Sequence, residues 1–141
     1  MSEERSSVTW VSGQPVVTPP LEIDIANAGE LRADILAASS AGRPAVIIDM
    51  SETAFCDSTG LNVLVRAHKQ LSAEGRQLRL VIREPTLLRI FKVTGVDTMF
   101  QLSASLDDAL AGAATLAGAA TPAGAATPAG AATADEGGPP P

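Results

Sequence analysis

The chain is poor in the residues that build nucleic-acid and metal sites. Aromatic residues make up 3% of the 141 residues and tyrosine is absent, so the platforms on which bases stack are lacking. The net charge of -6 also disfavours contact with phosphate backbones. With Cys56 and His68 the only residues of their types, an internal disulfide, a thiolate cluster and a two-histidine metal site are excluded, and no cofactor is predicted. No cation neighbours Cys56 in the sequence, so we expect a small buried side chain there.

Signals for membrane insertion or export are also lacking. No run of about 18 apolar residues, the length of a membrane-spanning helix, precedes the C-terminal repeat. The first ten residues, MSEERSSVTW, are charged and polar rather than basic and then apolar, so a signal peptide is not predicted. We expect a cytoplasmic protein with no membrane association.

The composition changes near residue 110. All the aromatic residues and all ten Lys and Arg residues precede that point. A six-residue repeat (AGAATL, AGAATP, AGAATP, AGAATA) then runs from Ala111 to Ala134, offers a core nothing larger than leucine, and is interrupted by Pro122 and Pro128. We predict a folded domain over residues 1–110 and a disordered Ala/Gly/Thr/Pro repeat tail over residues 111–141.

Strand and helix patterns alternate along the first 110 residues. Two β-rich segments joined at Gly13-Gln14 predict an N-terminal hairpin, whose second strand is interrupted at Pro19-Pro20. Apolar spacing and helix-boundary residues predict these further elements in order: a helix from Asn27, with Glu30 as capping partner, to Gly42, the strand Ala45–Met50, a helix from Leu61 to Gly75, the strand Leu78–Ile82, a helix from Pro85 to Gly95, a short strand at Met99–Leu102 and a helix from Ser105 through Leu110. We therefore predict an α/β fold, a small mixed β-sheet with an N-terminal hairpin and helices packed mainly on one face.

The segment Phe55–Leu61 (FCDSTGL) joins a predicted buried strand to the next helix. Asp57, Ser58 and Thr59 all favour helix N-termini, so hydroxyl groups are expected at the start of this helix. A phosphoryl group there would meet unpaired backbone N–H groups and would add about -1.5 to -2 charges beside Asp57, with Asp24 at the end of a neighbouring strand candidate. These residues alone suit either a charge switch for partner docking or a plain helix cap, and the plain cap is the commoner case.

The residues Asp57–Leu61 (DSTGL), following the strand Val46–Met50, resemble the signature of the STAS domain of bacterial anti-anti-sigma factors, also called anti-sigma factor antagonists. Three further segments in the same order are similar to that family: Leu21–Ala26 (LEIDIA), in which Leu21 replaces the usual glycine, Gly75–Leu80 at a helix-to-strand turn, and Val93–Val96 followed by Met99-Phe100. The resemblance covers about residues 6–110 and leaves out the repeat.

The resemblance implies a regulatory binding protein that is not an enzyme. In this family the unphosphorylated antagonist binds an anti-sigma factor that is also a serine kinase of the GHKL type, which frees a sigma factor for transcription. Phosphorylation of the motif serine breaks the complex, and a phosphatase restores it. Carried over to this chain, Ser58 is the phosphorylation site, with Thr59 as rival acceptor, and the partner-binding residues are Asp24, Asp57, Ser58, Thr59 and Gly60. Gly60 is expected to leave room for the partner's backbone, and a weak homodimer stays open.

Three alternatives differ in chemistry. A serine hydrolase needs a base beside Ser58, whereas His68 follows about 15 Å further along the helix. A receiver domain phosphorylated on Asp57 or Asp49 needs an acidic pair after its first strand, where Ser12–Gln14 stands instead. A STAS scaffold that binds protein partners in a signalling or transport complex without phosphorylation remains as the main alternative.

Overall fold

The N-terminal hairpin forms as predicted. The computed structural model describes residues 6–119 of a chain that divides into two units after Leu110. Strands β1 (Ser7–Val11) and β2 (Gln14–Thr18) pair antiparallel. Their turn is centred on Ser12 and Gly13, with φ values of 53° and 78°, and not on Gly13-Gln14. Two successive positive φ values match the twist of the flanking strands, which explains the one-residue difference.

A five-stranded mixed sheet follows from this hairpin. Its other strands are β4 (Ala45–Met50), β6 (Gln77–Ile82) and β7 (Gln101–Ser103), in the order β1-β2-β4-β6-β7. The pairs β2–β4, β4–β6 and β6–β7 are all parallel, which confirms the predicted mixed sheet. Chain segments that cross between parallel neighbours contain helices, as parallel pairing requires.

Helices α1 (Ala28–Ser39), α2 (Ser58–Ala73) and α3 (Pro85–Thr94) pack their apolar side chains into one cluster with one face of the sheet. That cluster contains alternate residues of the central strands and apolar residues of the three helices, among them Val46, Ile48, Leu78, Leu80, Leu31, Ile35, Leu64, Leu87 and Phe91. The opposite face of the sheet is not bare, since Ile47 and Val81 are also fully buried there.

The start of α1 differs from the capping box predicted at Asn27 and Glu30. The Asn27 side chain makes no cap bond to its own helix. Its Oδ1 instead accepts a hydrogen bond from the Asp24 N–H at 2.9 Å, and its amide group donates to the Glu22 carbonyl at 2.8 Å. Asn27 therefore fixes the turn between a strand and α1, because its side chain bridges the Asp24 N–H and the Glu22 carbonyl.

The last helix, α4 (Leu106–Ala119), runs further than the predicted domain boundary. Ser105 caps it as expected, with its hydroxyl oxygen accepting from the Asp108 N–H at 3.1 Å. Helix α4 continues into the first residues of the predicted tail, because alanine is the best helix former and the first proline of the repeat comes only at Pro122. The boundary between the two units nevertheless falls after Leu110, where the composition changes. The remainder of the predicted tail lies outside the described residues. None of the helices within residues 6–119 combines the length and apolar character needed to cross a membrane.

A second, two-stranded sheet lies before α2 and was not separated from the hairpin by the sequence prediction. Strands β3 (Glu22–Ile23) and β5 (Phe55–Cys56) pair in parallel, with Ile23 opposite Cys56. Backbone bonds continue this pairing in both directions, from the Ala54 N–H to the Leu21 carbonyl at 2.8 Å and from the Asp57 N–H to the Ile23 carbonyl at 3.0 Å. This small sheet holds the start of α2.

Candidate functional site

The start of α2 exposes a serine hydroxyl. Asp57 is the N-cap residue, in extended conformation, and its Oδ1 accepts a hydrogen bond from the Gly60 N–H at 3.0 Å. Ser58 is the first residue of the 16-residue helix and its side chain is exposed, whereas Thr59 is half-buried. The predicted cap is confirmed, and the hydroxyl of Ser58 stands at the positive end of the helix dipole.

Asp24 lies beside Asp57 because of the β3–β5 register. Ile23 pairs with Cys56, so the residues that follow them on the two strands are neighbours. Asp24 Oδ1 accepts from the Ala26 N–H at 2.9 Å, which fixes this carboxylate on its own turn. Both carboxylates are half-buried and each accepts a backbone N–H. The register thus places the backbones of Asp24 and Asp57 side by side just before α2 begins at Ser58.

Gly60 is buried and faces inward, which corrects the reason expected for a glycine there. A Cβ atom on Gly60 would lie 2.5 Å from Ile23 Cγ2 and 2.6 Å from Cys56 Sγ. Real Cβ atoms do not approach neighbours this closely, so the position requires glycine for packing of α2 against β3 and β5. Room for a partner's backbone is not needed to explain it. Gly60 supports the surface from beneath.

Two exposed apolar side chains flank the acidic pair and were missed as binding candidates. Ile25, directly after Asp24, is 80% exposed, and Phe55, two residues before Asp57, is 44% exposed. Together with Asp24, Asp57, Ser58 and Thr59 they form what we call the motif surface. Apolar side chains left in solvent beside polar ones are typical of protein-binding surfaces. The sequence signal that could have identified Ile25 as a binding candidate is an isoleucine in the polar turn after a strand.

Cys56 is buried beneath this surface, as the sequence predicted. Burial and, to a smaller extent, the negative charge of Asp57 raise the pKa of the thiol to about 12. The thiol is therefore a packing group and not a nucleophile at neutral pH.

The raised thiol pKa predicts how stability depends on pH. The native thiol holds its proton up to a pKa of about 12, above the ordinary value of 9.0. The free energy of unfolding should therefore be unaffected by this group below pH 9 and fall as pH rises from there, by up to about 1.4 kcal/mol per pH unit. Urea unfolding of the wild-type protein and of Cys56→Ala at several pH values between 7 and 11 measures this dependence. The variant should show the shallower fall, and parallel curves would contradict the prediction.

His68 and Asp49 take part in other interactions. The His68 ring contacts the Phe100 ring edge-on at a centroid distance of 5.4 Å, further along α2 from Ser58. Asp49, in β4, accepts a hydrogen bond from the Ser51 N–H at 3.1 Å. The packing of His68 agrees with the prediction that it is not a catalytic base for Ser58.

Comparison with known proteins identifies the family and the fold of this chain. Residues 6–109 match the family model of the STAS domain. The anti-sigma-B factor antagonist of Bacillus subtilis is 31% identical over 83 residues, which cover 59% of this chain and 75% of that protein. The crystal structure of an anti-sigma factor antagonist from Mycobacterium paratuberculosis is 33% identical with a TM-score of 0.69, over 77% of this chain and 92% of that one.

The Bacillus cell fate determinant SpoIIAA shares the fold at lower identity. Its unphosphorylated form is 19% identical with a TM-score of 0.67, over 78% of this chain and 96% of that one. Its phosphorylated form is 21% identical with a TM-score of 0.60, over 75% of this chain and 96% of that one. The mixed sheet, the motif at the start of α2 and the matched length agree, and the chain belongs to the STAS domain family.

Proposed function

We propose that this protein is an anti-sigma factor antagonist. In its unphosphorylated form it binds an anti-sigma factor through the motif surface, which releases a sigma factor, and phosphorylation of Ser58 switches this binding off. The single observation that carries the proposal is the exposed Ser58 hydroxyl at the start of α2, beside the fixed carboxylate of Asp57. The names of the Bacillus subtilis and Mycobacterium relatives support the same function.

The partner is an anti-sigma factor that is also a serine kinase of the GHKL type, and a phosphatase reverses the modification. Ser58 is a better acceptor than Thr59, because its side chain is exposed whereas that of Thr59 is half-buried. The protein acts by binding and performs no catalysis of its own. We expect the exchange of partners to take place in the cytoplasm.

Electrostatics explain why phosphate would end the complex. The unmodified surface already carries Asp24 and Asp57, so a partner that fits it must tolerate two carboxylates around a neutral hydroxyl. A phosphate on Ser58 adds about -1.5 to -2 charges and three oxygens at that point. The backbone N–H of Gly60 is already taken by Asp57, which leaves less of the helix terminus free to neutralise the new charge.

Phosphopeptide mapping tests the proposal. The full-length protein is purified from its own cells under two growth conditions, and the occupancy of phosphate on Ser58 and on Thr59 is measured. Phosphate on Ser58 whose occupancy changes with the condition is the expected result. If Ser58 stays unmodified in every condition while the protein still holds its partner, the phosphorylation switch is wrong and the constitutive scaffold is the better account.

Ile25 is expected to anchor the partner. Truncation in Ile25→Ala removes an 80% exposed side chain, so the free energy of unfolding should change by less than about 0.5 kcal/mol. Affinity for the anti-sigma factor should fall about tenfold or more, as for a buried apolar anchor. The matched control is Val93→Ala on α3, which truncates a side chain that is 79% exposed outside the motif surface. Titration calorimetry distinguishes the two, and equal affinities of both variants would contradict the anchor.

A further inference from the structure

A groove lies between α1 and α2 and shares no residue with the motif surface. Its apolar lining includes Leu36 of α1 and Val63 and Ala67 of α2, and its volume is about 250 Å³. Val63 and Ala67 stand four residues apart, on the same face of their helix. Leu36 is 40% exposed and has solvent above it. The two helices therefore leave an open apolar channel that the fold itself does not fill.

The rim of this groove carries positive charge in an otherwise acidic protein. Arg32 of α1 and Arg66 and Lys69 of α2 line it, and no aspartate or glutamate is among the residues that line it. None of the three cations makes an ion pair with another residue within the part of the chain that the structure describes. The whole chain has a net charge of -6. A groove with unpaired cations on both walls therefore offers a field of the opposite sign to that of the protein as a whole.

We propose that this groove binds an acidic, amphipathic segment of a protein partner. Apolar side chains of the segment would cover Leu36, Val63 and Ala67, while its carboxylates pair with the cations along the two walls. Cations on both walls suit several carboxylates spaced along a chain better than the single head group of a small acid. A concave channel also suits a chain segment better than a flat bilayer. The net charge of -6 likewise disfavours an anionic bilayer. This inference goes beyond the proposed antagonist function and does not depend on Ser58.

Two synthetic peptides of about 15 residues test the proposal, since that length spans the groove as a helix. One carries leucine and glutamate at helical spacing, and the other has lysine in place of every glutamate. Fluorescence anisotropy with the full-length protein should show binding of the acidic peptide only, weakening as salt is raised. Amide chemical shifts should change at residues 32–36 and 63–71. The double variant Arg32→Glu/Arg66→Glu should lower the affinity for the acidic peptide about tenfold or more.

The matched control is Arg89→Glu/Lys92→Glu, which makes the same change in net charge at exposed positions of α3. It should bind the acidic peptide within about twofold of wild type, because neither Arg89 nor Lys92 lines the groove. Equal weakening by the two double variants, shifts confined to other residues, or no binding would overturn the proposal. A further contrary result would be an absence of peptide binding together with cosedimentation with phosphatidylglycerol vesicles that only the groove variant loses. Should the reversal variant unfold, Arg32→Gln/Arg66→Gln replaces it.

Discussion

A Ser58→Asp variant should lose most of its affinity for the anti-sigma factor, whereas Ser58→Ala should bind at least as tightly as wild type. The aspartate places a carboxylate next to Asp57 and Asp24 on the motif surface, and like charges brought together at an interface cost several kcal/mol. We expect a loss of about tenfold to a hundredfold for Ser58→Asp. The phosphorylated protein should lose more, since phosphate is larger and carries about twice the charge. In cells, Ser58→Ala should release the sigma factor constitutively.

A general effect of added negative charge must be distinguished from the effect of a charge placed at Ser58. Ser72→Asp adds the same charge to an exposed serine at the opposite end of α2, so it serves as the matched control. Binding of each variant to the purified anti-sigma factor is measured by titration calorimetry, with thermal unfolding as a check of the fold. Unchanged affinity of both Ser58 variants would contradict the electrostatic switch, and equal loss in Ser58→Asp and Ser72→Asp would show a general charge effect instead.

Gly60→Ala should be the most destabilising small substitution in the motif. Its new methyl group would meet Ile23 Cγ2 and Cys56 Sγ at 2.5 and 2.6 Å, so α2 or the small sheet must move. Overpacking of this kind costs about 1–3 kcal/mol. Alanine also gains about 0.8–1.0 kcal/mol of helix propensity over glycine, which offsets part of that cost. We expect a net loss of unfolding free energy together with weaker partner binding, because the shift displaces Asp24 and Asp57.

Gly29→Ala in α1 controls for helix propensity. A Cβ atom there meets nothing within 4 Å and the residue is exposed, so the substitution should stabilise the protein by about 0.5–1 kcal/mol. Urea unfolding of both variants measures the contrast in sign. Stabilisation by Gly60→Ala would show that the packing of α2 on Ile23 and Cys56 is looser than the structure indicates.

The sequence predicted best those elements whose own residues determine them. The run Ala45–Met50 is apolar apart from Asp49 and forms β4 over those six residues. Pro85 occupies the first turn of α3, and Gly95 ends that helix with a φ of 82°, a conformation that glycine adopts at no steric cost. Ser105 caps α4 as its spacing from Asp108 predicted.

Features that depend on distant residues were not predictable. The strands β3 and β5 have two residues each, too few to show a periodicity, and they exist because segments far apart in sequence pair with each other. The same pairing places Ile23 and Cys56 against Gly60, so the packing that requires glycine there could not be read from the sequence. Asn27 was expected to cap α1, but the Asp24 N–H and the Glu22 carbonyl compete for its side chain. The solvent exposure of Ile25 likewise depends on the conformation of the turn after β3.

The hydrogen bonds that hold β5 to β3 and Asp57 to Gly60 also bear on how fast the proposed switch responds. A surface whose backbone is already fixed loses little conformational entropy when a partner docks, so recognition needs no ordering step. In the proposed switch, we expect a phosphate to change the charge of this preformed surface rather than its backbone. The response time of such a regulator follows the turnover of its kinase and phosphatase, and the antagonist itself introduces no delay.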